Sequence, residues 1–296
     1  MNEPLKCYSK DSDSIFEYRF DSLNSFINYI EKTPINSKIF TKKASSSSGT
    51  FNFTKTESLG EAIELCKNGC DEDFESFVNL KNEVSKTLLK PSEMSLIYKD
   101  VVGYSPSISD FISGSPFNMW NKRSNSFDNV INIYFQLAYS GSTKISQIYN
   151  RGAITLSIIN ALEKSGYAVN FYAFDLSREY SFNCDYYEYF ITYFKLKDST
   201  RHLNEKIVFF PLCHPSFLRR CIFRLTEVTP FKFEQWSFSY GKVVDSIEGI
   251  KKYINPSENS IIISTPQSLD VFGNNIHEDL HWMLEKLDLQ KYFKRI

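Results

Sequence analysis

Residues 130–174 read VINIYFQLAYSGSTKISQIYNRGAITLSIINALEKSGYAVNFYAF, and the periodicity of this stretch decides the fold class. Val130 to Ala138 is nearly continuous apolar and β-prone, as a strand covered on both faces must be. The polar turn YSGST leads into a helix from Ile145 to Lys164, with Ile148, Ala153, Leu156, Ile159 and Leu162 at helical spacing and Gly166 as its stop. Ala168 to Phe174 is the next strand. Strand, helix and strand of these lengths make a right-handed βαβ unit.

Working outward, Tyr189–Lys197 alternates as a strand, expected antiparallel and at an edge. Pro215 opens a helix with Phe217, Leu218, Cys221, Ile222 and Leu225 on its apolar face, Ser260 to Thr265 is a short apolar strand, and a final helix covers 275–287. These elements predict an α/β class, an open sheet with helices on both faces. Before them, Asp21 and Ser22 can cap a helix carrying Leu23, Phe26, Ile27 and Ile30. Ser58 and Glu61 have capping-box spacing for a helix that Gly69 stops, and a third helix covers 71–89. The N-terminal region therefore reads as mainly helical. Gly103, Pro106, Gly114 and Pro116 break 91–127 into a loop-rich connector. The expected division is residues 1–125 as helical region plus connector and 126–296 as the α/β domain.

Composition bounds the function. There are 34 Lys plus Arg against 35 Asp plus Glu, a formal charge of -1, so no net field draws the chain to nucleic acid. The first twenty residues carry charges throughout, unlike a secretory signal. No run approaches the roughly 18 apolar residues of a membrane span, and the expected location is cytoplasmic. Six scattered cysteines read as buried thiols; Cys66 and Cys70, four apart, are half of a metal site at most. The unusual feature is 26 Phe, 18 Tyr and 3 Trp. Two aromatic clusters sit among polar residues: Tyr180, Phe182, Tyr186 and Tyr187, and then Phe231, Phe233, Trp236, Phe238 and Tyr240. They either finish the core or form a partner-binding surface.

Two motifs bear on metal chemistry. His277, Glu278 and His281 satisfy H-E-x-x-H on a predicted helix, the spacing that puts two zinc ligands one turn apart with a glutamate to activate water. The longer pattern would need Gly at 284 and His at 287, where Leu284 and Leu287 stand, and with Ile276 and Leu280 these form a packing stripe. Ser140 and Ser142, in the turn after the first strand of the α/β region, offer hydroxyls for a cation, but the position that would supply a carboxylate is Ala138. No cofactor is expected. Arg219, Arg220 and Arg224 read as a solvated helix face, with Arg224 paired to Glu227.

The runs INIYFQLAYSGS (131–142), RGAITLSIINALEKSGYAVNFYAF (151–174) and HPSFLRRCIFRLTE (214–227), with the connector VVGYSPSISDFISGSPFNMW (101–120), are similar to a family of phage and prophage proteins with a von Willebrand A-like α/β domain. The likeness spans roughly residues 100–290, and members often lack the metal-site Asp. In size and character the chain also resembles the Gabija anti-defence inhibitors of phages. That resemblance implies a non-enzymatic inhibitor in the host cytoplasm, a homo-oligomer that binds the Gabija nuclease and helicase-like complex and blocks its DNA binding or cleavage. The rival expectations are a metal-dependent hydrolase using HEDLH and a phage structural or assembly module.

Overall fold

The computed structural model describes residues 4–36, 45, 51–71, 74–88, 97–103, 105–122, 130–164, 166–181, 185–230, 240–257, 260–265 and 275–289. A hairpin of β1 (Leu5–Lys10) and β2 (Asp13–Phe20) leads to the helices α1 (Leu23–Lys32), α2 (Phe51–Thr54), α3 (Leu59–Asn68) and α4 (Phe74–Leu88). A separate three-stranded sheet of β3 (Ile97–Asp100), β4 (Ser105–Pro106) and β5 (Met119–Lys122) carries α5 (Ile108–Ile112). Then follow β6 (Val130–Gln136), α6 (Ile145–Lys164), β7 (Ala168–Ser181), β8 (Tyr186–Lys197) and α7 (Glu205–Cys213). A π-helical segment, Phe217–Ile222, runs into α8 (Phe223–Val228), and β9 (Lys242–Val243), α9 (Ile247–Ile254), β10 (Ser260–Ile263) and α10 (Ile276–Lys286) complete the order.

The main sheet runs β1-β2-β8-β7-β6-β10, with β9 added to β7. Strands β7, β6 and β10 are parallel, β8 is antiparallel to β7, and β2 lies parallel to β8. The protein is thus α/β, with a mixed open sheet. Alternation along the strands divides the apolar residues between two faces. Ile131, Ile133 and Phe135 of β6, Phe171 and Ala173 of β7, and Phe190 and Phe194 of β8 face α1, α3, α4, α6, α7, α8 and α10. Tyr134, Phe174, Leu176, Tyr189 and Ile191 face the other way, against α9 through Ile250, Tyr253 and Ile254. Cover on both faces is why β6 reads as almost unbroken apolar sequence.

Capping chemistry sets the N-terminal helices where the sequence predicts. The Ser22 hydroxyl accepts from the Ser25 amide, and Ser58 accepts from the Glu61 amide. Gly69, at φ +85°, closes α3 in a backbone conformation only glycine adopts without strain. The region also contains a hairpin the sequence reading lacks. Asp11 and Ser12 turn it with φ of 51° and 72°, the two positive values of a type I′ loop. Strand β2 then pairs with β8 from Ser14↔Glu188 to Phe20↔Phe194. Residues on either side of position 125 therefore share one sheet and the larger core. Strand β8 is antiparallel to β7 as expected, but it is interior rather than an edge, because β2 covers its outer side. The segment expected as a loop-rich connector holds the β3–β5 sheet and α5.

Helix α6 is buried along most of its length, from Ile148 to Leu162. Gly152 allows this, since a Cβ there would lie 2.1 Å from Cys213 Sγ and 3.6 Å from Leu212 Cβ on α7. Overpacking typically costs about 1–3 kcal/mol, more than the roughly 1 kcal/mol of helix propensity alanine would add. Gly152→Ala is therefore expected to lower the urea midpoint; an unchanged or higher midpoint would show that α6 and α7 separate freely.

Candidate functional site

The carboxyl end of β6 is the switch point of the sheet. Helix α6 leaves it on one face toward β7, while α9 lies on the opposite face and leads into β10. Ligands of open α/β sheets bind at such a point, because the chain diverges there and leaves a crevice. The turn that follows β6 is fixed by Leu137 donating to the Phe174 carbonyl at 2.7 Å and by the Tyr139 hydroxyl donating to the Pro215 carbonyl at 2.9 Å. Ser140 and Ser142 sit at its crest with their hydroxyls 3.0 Å apart.

Beyond Phe174, β7 continues without β6, and β9 takes over its edge through Ser177↔Val243 and Arg178↔Lys242. Asp175 lies at this handover. Its side chain falls on the same face as Ala173 and so points beneath the π-helical segment. Here a cleft of about 500 Å³ opens, lined among others by Ser140, Asp175, Ser177, Arg219, Tyr240 and Lys242. Asp175 is 3% exposed and accepts a hydrogen bond from Ser177 Oγ at 3.3 Å. Burial pushes its carboxyl up to about 7, against a small opposing effect of that hydrogen bond. Across the strand pair, the fully buried Thr192 hydroxyl has no hydrogen-bond partner among the described residues. A buried acid at the floor of a crevice, with no ion-pair partner among the described residues, is a functional signature.

The arginine run separates in the structure, and only part of the sequence expectation for it survives. The π-helical register turns Arg220 fully inward, where it donates to the Ser45 and Thr56 carbonyls at 3.0 and 2.8 Å. Arg224 donates to the Ile30 and Thr33 carbonyls. Glu227, expected to pair with Arg224, instead accepts from the Ser45 amide, the Ser45 hydroxyl and the Tyr240 hydroxyl. Arg219 alone of the three lines the cleft, held over the Phe53 and Phe223 rings at 5.8 and 5.2 Å. Sequence reasoning missed both Asp175 and the distinct position of Arg219.

The predicted metal candidates are not brought together. Ser140 lines the same cleft as Arg219, whose guanidinium is 3.4 Å from where a Cβ on Gly141 would be, and Ser142 is not part of that lining. His277 Nε2 lies 2.9 Å from Glu83 Oε1 on α4, and His281 is exposed on α10. Cys66 faces Cys221 on the π-helical segment, Sγ to Sγ 4.0 Å, and burial pushes its thiol up; Cys70 is also buried.

The aromatic candidates divide. Tyr180, Tyr186 and Tyr187 are half-buried at the tip of the β7–β8 hairpin, where Tyr180 and Tyr187 pack at 5.1 Å and Arg178 lies over the Tyr187 ring. Tyr240 stacks on Phe223 at 3.9 Å and forms a wall of the cleft. Phe182, Phe231, Phe233, Trp236 and Phe238 lie outside the described residues.

A different surface shows the apolar exposure those clusters suggested. In the β3–β5 module Val101, Val102, Ile108, Phe111, Ile112 and Phe117 are all exposed, Ile108 to 72% and Ile112 to 79%. Elsewhere among the described residues, Tyr8 and Phe51 are the large apolar side chains exposed to a similar class. Among the described residues, no helix is long and apolar enough to cross a membrane.

No curated protein and no solved structure matches the chain. A family model described as a domain of unknown function, DUF7192, matches residues 6–291, and the chain belongs to that family.

Proposed function

We propose that this chain is a non-enzymatic binding protein that grips a larger protein assembly, and that its target is a bacterial anti-phage defence complex of the Gabija type. The observation that carries the reading is the concentration of exposed apolar side chains on the β3–β5 module. Scattered single apolar residues are normal on a surface, whereas a cluster rimmed by polar groups marks a contact site. Ser109, Asp110 and Ser113 provide that rim around Ile108, Phe111 and Ile112. Covering the cluster would supply the affinity, and Tyr180, Tyr186 and Tyr187 at the hairpin tip are a second candidate contact.

The likeness of 101–120, 131–142, 151–174 and 214–227 to phage and prophage proteins supports a phage origin, and the Gabija complex as target follows from likeness in overall size and character. In this reading the chain is phage-encoded, acts in the host cytoplasm, touches no DNA itself and needs no cofactor. As a homo-oligomer it would present several modules to one target and gain avidity without new contacts. Mixing the purified chain with the Gabija nuclease and helicase-like complex tests the reading. A complex stable to size-exclusion chromatography is expected, along with protection of phage in Gabija-bearing cells; neither complex nor protection would end it.

A further inference from the structure

We infer that the cleft at the carboxyl end of β6 binds a small oxyanion-bearing ligand, a phosphate or carboxylate compound, held by the Arg219 guanidinium and the Ser140 hydroxyl. This goes beyond partner binding and concerns the free protein. Three features carry it. First, no ion pair engages Arg219 among the described residues. Its neighbours are the Phe53 and Phe223 rings, which orient a guanidinium without neutralising it. Second, Gly141 leaves the turn bare beside that cation. A hydroxyl in the same cleft as a guanidinium is a poor place for a divalent cation and suits an oxyanion, which can take a charge-assisted fork from Arg219 and an O–H donor from Ser140.

Third, the cavity continues inward to a floor made by Asp175 and Ser177. Its volume of about 500 Å³ fits a small molecule rather than a polymer. Ser177 on its own strand and Thr192 on β8 share the face of Asp175, and Arg219 on the π-helical segment lines the same cleft, whereas Lys242, paired with Arg178, lies on the other face of the strand. None forms an ion pair with it among the described residues, so it is available to bond a ligand's distal polar group. Burial keeps this carboxyl largely protonated below pH about 7, where it does not oppose an anion.

The test uses inorganic phosphate and acetate as probes, each titrated into the full chain at constant ionic strength with chloride as the balancing ion. Thermal midpoint and ¹⁵N chemical shifts are the readouts. A saturable response to either oxyanion is expected, centred on 138–143 and 175–177. A response to phosphate alone points to phosphorylated compounds, and one to acetate alone points to carboxylates. Arg219→Gln should weaken binding by about tenfold or more, the value of one charge-assisted hydrogen bond. Gly141→Asp, which places a tethered carboxylate beside Arg219, should remove the response in a protein of unchanged circular dichroism. No response beyond that to chloride, or an equal response in the Arg219→Gln protein, would overturn the assignment.

Discussion

Asp175→Asn is expected to leave stability at pH 4 nearly unchanged and to raise it by up to about 4 kcal/mol at pH 8, relative to the parent chain. The carboxyl titrates at about 7 when folded and near the ordinary 3.8 when unfolded. Because the folded value is the higher one, the folded protein holds a proton that the unfolded chain has released between those two pH values. Stability from this group is therefore fully present below about 4 and is lost as pH rises through about 7. Asparagine has no proton to lose, so the difference between the two proteins should grow across that window and stay flat outside it. Urea unfolding at pH 4, 5.5, 7 and 8 reads the difference directly. Parallel profiles for the two proteins would mean that Asp175 is hydrated and ionised, and that the cleft floor is wet.

Arg220→Ala should lower stability by about 4 kcal/mol or more, which combines unsatisfied buried acceptors at about 1–3 kcal/mol each with the cavity left by a long side chain. Arg220 is fully buried and bonds the Ser45 and Thr56 carbonyls, with longer contacts to the Thr54 and Thr56 hydroxyls at 3.5 and 3.4 Å. Those partners sit on the chain between α1 and α3, so the guanidinium is the tie that holds that stretch against the helical face. Lysine should not rescue, because a single ammonium cannot reach acceptors arranged around a planar fork. A loss below about 1 kcal/mol in urea unfolding would show that water replaces these bonds.

What was legible in the sequence follows from locality. The unbroken apolar run of β6, the bounds of α6 and the caps at Ser22, Ser58 and Gly69 are all set by residues within a turn or two of one another, and the structure places them as predicted. The β1–β2 hairpin was not legible, because β2 is stabilised by β8, more than 170 residues away in sequence, as in Ser14↔Glu188. Its own residues are charged enough to resemble a surface segment. The cleft was hidden for a related reason. Asp175 in AFDLS looks like a polar residue near a strand end, and it is buried only because β9 and the π-helical segment close over it.

A signal was nonetheless present. In a strand alternating Phe171, Ala173, Asp175, one acid occupies a core-facing position. Arg219 and Arg220 could not be told apart from a helical wheel, since the π-helical turn changes the phase that a wheel assumes. The β3–β5 module escaped notice because short apolar pieces between Gly and Pro look the same whether they will be buried or left exposed.

The central claim, that this chain works by contact through the module, is tested most directly by one binding measurement. The triple variant Ile108→Ser, Phe111→Ser, Ile112→Ser removes three exposed side chains that bury nothing in the free protein, so its fold and thermal midpoint should not change. Against the purified Gabija complex, affinity should fall by about a hundredfold or more, as expected when two or more hot-spot contacts are lost. Wild-type affinity in this folded variant would contradict the account.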